Sequence, residues 1–347
     1  MIIVLKKGAS EQEVTQVSER LEELGYQVNP IFGVERTVIG AVGGMEHDKV
    51  DAVDQLKAYD FVEDVMIITK PYKFVAKESR PGGRSTIQVG DITIGGDDVV
   101  IMAGPCTVES EEQLFGTAEV VAKAGARVLR GGAYKPSTSP YSFHGHGESA
   151  LEMLQQAGKQ FGLKVVTEVM DPRKVDQVAR YADILQIGAR NMQNYDLLRE
   201  VGQSRVPVML KRGLSAKYEE WLLAAEYIAS GGNENIMLCE RGIRNFETYT
   251  RNVLDLVSVP VLNSLSHLPV VMDPSHGTGR RELVAAASNA AVAIGADALI
   301  IEVHHNPDHA IKDGAQSITH EQFRAMIPPM RRIAEAIGRR IAEPVQA

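Results

Sequence analysis

The sequence predicts an α/β protein, a (β/α)8 barrel over residues 99–347 preceded by a small α+β ferredoxin-like domain over residues 1–70. From Val99 onward, short apolar runs alternate with amphipathic stretches, eight strand–helix units over roughly 250 residues, which is the size and rhythm of such a barrel. Residues 1–70 run instead in the order βαββαβ, that of a sandwich with one sheet and two helices on one face. A doubly wound open sheet is the competing architecture, but no GxGxxG phosphate turn supports it.

In the first domain, residues 2–5 read as a strand, and Ser10 is placed to cap a helix over 11–24. Residues 28–32 and 37–42 read as two strands joined by a tight turn. A helix follows over 48–57, with Val50, Val53 and Leu56 on its apolar face, and a last strand over 65–69 precedes Lys70-Pro71. The domain has no cysteine and no dense ligand cluster, which excludes an iron–sulfur role. A stabilising or assembly module and a small-molecule sensor both remain open.

Residues 71–98 read as a connector. The stretch 77–86 is charged and glycine-bearing, and 87–89 and 92–94 flank Gly90-Asp91 as a short hairpin. The barrel strands are expected at 99–103, 128–129, 164–167, 184–187, 206–210, 236–238, 270–272 and 298–301. Helices are expected over 111–124, 148–161, 172–180, 194–201, 216–229, 282–294 and 320–340, and 248–266 is helical only in part.

Composition bounds the function classes. The chain has 347 residues, 44% of them hydrophobic, enough for one large and one smaller domain. A net charge of -8 excludes a general nucleic-acid binder, whose footprint is a basic excess. Two cysteines, Cys106 and Cys239, imply no disulfide framework and suit a reduced, cytoplasmic setting. The start MIIVLKKGAS is too short in apolar residues for a signal peptide, and no later run reaches the length of a membrane span.

Each apolar run ends in residues fit for chemistry. The first is followed by Gly104-Pro105-Cys106, the second by Arg130 and Lys135, the third by Glu168 and the fourth by Gly188-Ala189-Arg190. The fifth ends in Lys211-Arg212, the sixth in Cys239-Glu240-Arg241, the seventh in Asp273-Pro274-Ser275-His276, and the eighth in Glu302-Val303-His304 with Asp313 beyond. In a parallel barrel these ends share the face that carries active sites. Arg130, Lys135, Arg190, Lys211 and Arg241 form a cation set suited to phosphate and carboxylate. Cys106, His276, Glu302 and Asp313 supply a thiol, an imidazole and two carboxylates, enough for a divalent transition metal. Any one of these is more often a buried or solvated residue; their recurrence at successive strand ends is not. Cys239 is one partner too many for a four-ligand site and is assigned to the core.

The motifs GPCTVES, LRGGAYKPSTSPYSF, GARNMQN, LKRG, LCERGIR, DPSHGTG, IIEVH and IKDGAQS together resemble the 3-deoxy-D-arabino-heptulosonate 7-phosphate (DAHP) synthases. The resemblance is to their single-barrel, type I beta form with an N-terminal ferredoxin-like domain, and runs from residue 1 to about 340. It implies a metal-dependent condensation of phosphoenolpyruvate with erythrose 4-phosphate, releasing phosphate at the entry to the shikimate pathway. By motif matching it implies Cys106, His276, Glu302 and Asp313 as ligands of Mn, Fe, Co or Zn. It makes Lys135, with Cys106 and His276, the catalytic group. Arg130, Lys135, Arg190, Lys211 and Arg241 are implied to bind phosphoenolpyruvate, and Pro136, Ser137 and Thr138 erythrose 4-phosphate. It further implies a cytoplasmic homotetramer, binding neither nucleic acid nor membrane, inhibited by tyrosine or phenylalanine through residues 1–70.

The chain departs from the family pattern at Ser137, where Lys-Pro-Arg-Thr is usual. Losing a charge-assisted phosphate contact costs roughly 1.5–3 kcal/mol, and Arg280 or Arg281, after the DPSHGTG turn, is a candidate to replace it. Two rival readings remain. One is a 3-deoxy-octulosonate 8-phosphate synthase, which the N-terminal domain and Lys135-Pro136 argue against and Ser137 keeps open. The other is an inactive amino-acid-sensing barrel, for which a complete metal and cation set has no use.

Overall fold

The computed structural model describes residues 1–33, 36–43, 49–67, 71–80, 83–135, 141–342 and 344. It divides into two compact units, Met1–Gly83 with Leu265–His267, and Arg84–Ser264 with Leu268–Ala347.

The first unit is a four-stranded antiparallel sheet carrying two helices: β1 (Ile2–Leu5), α1 (Glu11–Glu23), β2 (Tyr26–Phe32), β3 (Thr37–Gly43), α2 (Lys49–Lys57) and β4 (Val62–Met66), in strand order β2-β3-β1-β4. Ser10 caps α1 as expected: its hydroxyl accepts from the Glu13 N–H, and the Glu13 carboxylate accepts from the Ser10 N–H at 2.6 Å. Val14, Val17 and Leu21, one face of α1, pack on Ile3, Leu5, Ile39 and Leu56. Full burial of each such side chain contributes about 1.5–3 kcal/mol. β4 begins at Val62, earlier than the apolar run 65–69 suggests, because a register irregularity between Val4 and Leu5 lets Val62 and Val65 both reach the core. Residue 48, the side chain of Val50, and residues 68 and 69 lie outside the described residues.

The second unit is the (β/α)8 barrel. Its strands are β7 (Asp98–Gly104), β8 (Val128–Arg130), β9 (Lys164–Glu168), β10 (Ile184–Ile187), β11 (Val208–Lys211), β12 (Ile236–Glu240), β13 (Val270–Met272) and β14 (Ala298–Glu302), all parallel, with β14 closing on β7. Between them lie α3 (Glu111–Ala124), α4 (Glu148–Phe161), α5 (Val175–Ala179), α6 (Tyr195–Gln203), α7 (Tyr218–Ser230), α8 (Ser258–Leu265) and α10 (Arg281–Ala293), with α11 (His320–Ala336) last. α3 and α4 match the sequence expectation residue for residue. The expected helix over 172–180 is instead a 3-10 turn followed by α5.

The hairpin β5 (Ile87–Val89) and β6 (Ile92–Ile94) belongs to this second unit. Ile87, Val89, Ile92 and Ile94, alternating and therefore on one face, join the barrel interior with Val100, Val128, Val166 and Ile184. The helix expected over 320–340 stops at Ala336. The chain then adds β15 (Arg340–Ile341), paired in parallel with Asp98 and Val99. α9 (Pro274–Thr278) is a further short helix, capped by Asp273 with Pro274 in its first turn.

Strand alternation sets the site. The interior core holds Val128, Val166, Ile184, Met209, Cys239, Val271 and Ile300. Two residues further along each strand, on the same face, stand Arg130, Glu168, Gln186, Lys211, Arg241, Asp273 and Glu302. The polar layer is thus the interior register continued past the apolar one. Cys239 lies in the apolar layer, as the sequence reading had it.

Candidate active site

Above the apolar layer is a cavity of about 360 Å³ whose lining includes Cys106, Lys135, Arg190, Lys211, Arg241, His276 and Asp313. The seven come from seven different strand ends, on the barrel face where period-2 alternation delivers them. Glu302 and Arg130 lie just beneath: Arg130 Nη1 donates to Glu302 Oε1 at 3.0 Å and to the Pro105 carbonyl at 2.8 Å, and both side chains are buried.

The ligating atoms of Cys106, Glu302 and Asp313 lie within 4.8 Å of one another, with Cys106 Sγ 3.3 Å from Asp313 Oδ2. His276 stands beside this cluster, its Nε2 3.6 Å from Glu302 Oε1. Its Nδ1 is 2.8 Å from Asp273 Oδ2, but off the hydrogen-bonding direction, so the atom is buried without a hydrogen bond. A thiol and two carboxylates with an imidazole adjoining suit a divalent transition ion better than Mg²⁺. Asp313 is the one non-glycine among the described residues with positive φ, at 51°, a left-handed conformation that Asp tolerates.

Electrostatics follow from depth. Burial, reinforced by the Glu302 charge, pushes the Cys106 thiol up to about 12. Burial also lowers His276, favouring the neutral imidazole that a ligand requires. For Asp273 burial acts upward, yet the Lys211 ammonium and the His276 backbone N–H outweigh it and hold the carboxyl well below the usual range. Lys211 Nζ is 2.5 Å from Asp273 Oδ2. Burial works to lower Lys135, but neighbouring anions, the Glu302 and Glu168 carboxylates among them, more than offset it, so its ammonium is favoured. Burial lowers Arg241, whose Nη1 donates to the Gly242 carbonyl at 3.3 Å.

Two glycines make room for these groups. A Cβ at Gly132 would meet Lys135 Cε at 2.5 Å and the Cys106 carbonyl at 2.9 Å; one at Gly188 would meet Glu168 Oε1 at 2.0 Å.

The structure brings Cys106, Lys135, Arg190, Lys211, Arg241, His276 and Asp313 to one cavity, with Arg130 and Glu302 against it. Pro136, Ser137 and Thr138 lie outside the described residues. Arg280 and Arg281 are not among the residues lining the cavity and are engaged with Glu282 at 2.8 Å and Asp308 at 2.7 Å. The sequence reading overlooked Arg244, Arg251, Asn252 and Lys312 as lining residues. Three of them sit in the irregular stretch after β12, where no periodicity marks which side chain turns inward.

Comparison with known proteins agrees with this geometry. Residues 73–337 match the DAHP synthetase I family, and residues 1–70 match the DAHP synthase ferredoxin-like domain. A phospho-2-dehydro-3-deoxyheptonate aldolase from Thermotoga maritima is 47% identical over 97% of this chain and 99% of its own length. A 2-dehydro-3-deoxyphosphooctonate aldolase from Syntrophotalea carbinolica is 36% identical over 72% of this chain and 95% of its own. The crystal structure of the T. maritima DAHP synthase superposes with a TM-score of 0.78 at 46% identity, covering 98% of each chain. A truncated form of that enzyme gives 0.73 over 78% of this chain and 99% of its own. The chain is therefore an enzyme of the DAHP synthetase I family.

Proposed function

We propose that this enzyme condenses phosphoenolpyruvate with D-erythrose 4-phosphate and releases inorganic phosphate, with a divalent metal (Mn, Fe, Co or Zn) held by Cys106, His276, Glu302 and Asp313. The observation that carries the proposal is the meeting of a Cys–Glu–Asp cluster with Lys135, Arg190, Lys211 and Arg241 in one cavity. Phosphoenolpyruvate carries a carboxylate and a phosphate, and fixed cations are what such a ligand requires. Arg190, Lys211 and Arg241 take its phosphate, and Arg130 and Lys135 the end nearer the reacting carbons. Pro136, Ser137 and Thr138 meet the sugar phosphate.

Held by Cys106, His276, Glu302 and Asp313, a divalent metal would supply a Lewis acid for the aldehyde carbonyl. The protein then orients C3 of phosphoenolpyruvate towards that carbon and excludes bulk water. C–C bond formation turns the aldehyde oxygen into an alkoxide, and Lys135, a cavity-lining ammonium, is the proposed donor of the proton. Water adds at C2, and the resulting phosphohemiketal loses phosphate by C–O cleavage into the cluster of cations.

Residues 1–70 are proposed as a sensor of tyrosine or phenylalanine, residues 71–98 as the connection, and residues 99–347 as the catalytic domain, in a cytoplasmic homotetramer. Among the described residues no helix is long and apolar enough to cross a membrane.

Phosphate release from phosphoenolpyruvate, with erythrose 4-phosphate titrated against metal-loaded enzyme, tests the reaction. Saturable release, lost on EDTA treatment and in Cys106→Ala, is the expected result. Release with arabinose 5-phosphate and none with erythrose 4-phosphate would overturn it in favour of octulosonate synthesis.

A further inference from the structure

The two carboxylates of the Cys106 cluster are joined by a bridge, buried at Gln316 and open to solvent at Arg251, that the proposed chemistry does not use. Gln316, 2% exposed, donates its Nε2 to Glu302 Oε2 at 2.8 Å, and its Oε1 accepts from Arg251 Nη1 at 2.7 Å. The same Nη1 donates to Asp313 Oδ1 at 3.1 Å. A guanidinium only donates and an ionised carboxylate only accepts, so the Gln316 amide has a single orientation that satisfies both neighbours. With Oδ1 taken by Arg251, Asp313 is left to turn Oδ2 towards Cys106 Sγ.

The backbone is built around this bridge. The left-handed Asp313 starts a tight turn in which its carbonyl accepts from the N–H groups of Gln316, at 3.1 Å, and Ser317, at 3.2 Å. One short turn thus delivers both Asp313 and the side chain that steadies Glu302. Arg251 is seated from the other side: its N–H donates to the Thr278 carbonyl at 2.9 Å. A Cβ at Gly279 would collide with Arg251 Cβ at 2.2 Å.

We propose that Gln316 and Arg251 are positioning residues for a divalent metal at this cluster, fixing which oxygen of Asp313 and Glu302 faces the ion. Three anionic donors around one divalent ion leave excess negative charge; Arg251 on Asp313 and Arg130 on Glu302 offset it. The inference rests on the metal-ligand reading of Cys106, Glu302 and Asp313.

The test is Co²⁺ binding to chelator-stripped full-length enzyme at fixed pH, by calorimetry and by the thiolate-to-cobalt absorption band. Variants are wild type, Cys106→Ala, Gln316→Glu, Gln316→Leu and Arg251→Gln, each checked for its unfolding midpoint. Loss of an outer partner of this kind weakens metal binding about 10–100-fold, and that is expected for Gln316→Leu and Arg251→Gln, with a shifted cobalt spectrum. Gln316→Glu keeps the shape and the Arg251 contact but sets carboxylate against carboxylate. It should bind cobalt less tightly, whereas a space-filling role predicts wild-type affinity. Folded Gln316→Glu and Arg251→Gln with unchanged affinity and spectrum would overturn the inference while leaving the metal site intact. Wild-type cobalt binding indifferent to Cys106→Ala would overturn the metal-ligand reading and this inference with it.

Discussion

Lys211 at the end of β11 and Asp273 just past the end of β13, alternate strands of the barrel, form a buried ion pair at 2.5 Å, with side chains 4% and 1% exposed. Asp273 does more than neutralise a lysine. Its Oδ1 accepts from the His276 N–H at 2.9 Å, capping α9, so one carboxylate sets both a cation of the cavity and the helix that carries the imidazole. Replacing it by Asn leaves Lys211 buried without its counter-charge. Asp273→Asn should therefore destabilise the protein by about 3–5 kcal/mol, the cost of breaking a buried pair. Urea unfolding measures this; a loss below about 1 kcal/mol, the scale of exposed pairs, would show that the pair is not effectively desolvated.

Gly132 offers a probe of how closely Lys135 and the Cys106 backbone are placed. A Cβ there would stand 2.8 Å from Lys135 Nζ and 2.9 Å from the Cys106 carbonyl, and the ammonium end is the part free to yield. Gly132→Ala should keep the fold and lower kcat roughly a hundredfold, the scale of a 1 Å misplacement at a reacting group. Steady-state rates beside the thermal midpoint check it. A folded variant with near-native kcat would show that the position of Lys135 is not critical.

The barrel and most of this site were legible because strand alternation and apolar runs are local signals. Arg130, Lys211, Arg241 and Glu302 each stand two residues past an apolar interior residue, and the sequence already displays that spacing. The same rule separates Lys211 from its neighbour Arg212, which turns away from the cavity to pair with Glu240 at 2.9 Å. Arg251 and Gln316 carry no such signal, since loop positions have no period and their meaning arises from contacts across the fold. The short helix α9 could have been read: Asp273 before Pro274 is an N-cap followed by proline at the first helical position. β15 could not, because two residues hold no periodicity and the strand exists only through pairing with β7.

His267 should make stability depend on pH. It is buried, its Nε2 lies 2.8 Å from the Phe74 carbonyl, and burial pulls its pKa down to about 4 from an unfolded value near 6.5. The folded form therefore refuses a proton that the unfolded chain accepts. Full stability is present above the unfolded pKa and is lost as pH falls from there towards the folded value. A shift of this size amounts to about 3 kcal/mol at the acid end. His267→Gln keeps a donor for the carbonyl and removes the titration. Unfolding curves between pH 7 and pH 4 should fall more steeply for wild type than for this variant; parallel curves would remove His267 from the account.

The proposed sensor role of residues 1–70 is tested by deleting them. The first unit has a core of its own, built from Ile3, Val14, Val17, Leu21, Ile39 and Leu56. The barrel has a separate one, closed at its apolar layer by the hairpin residues Ile87, Val89, Ile92 and Ile94. Cutting before that hairpin preserves every strand of the barrel and every described residue that lines the cavity. The shortened enzyme should therefore retain phosphate release while losing inhibition by tyrosine and phenylalanine. Inhibition of unchanged potency would place the effector site in the barrel. Loss of both turnover and thermal stability would assign residues 1–70 to assembly instead of sensing.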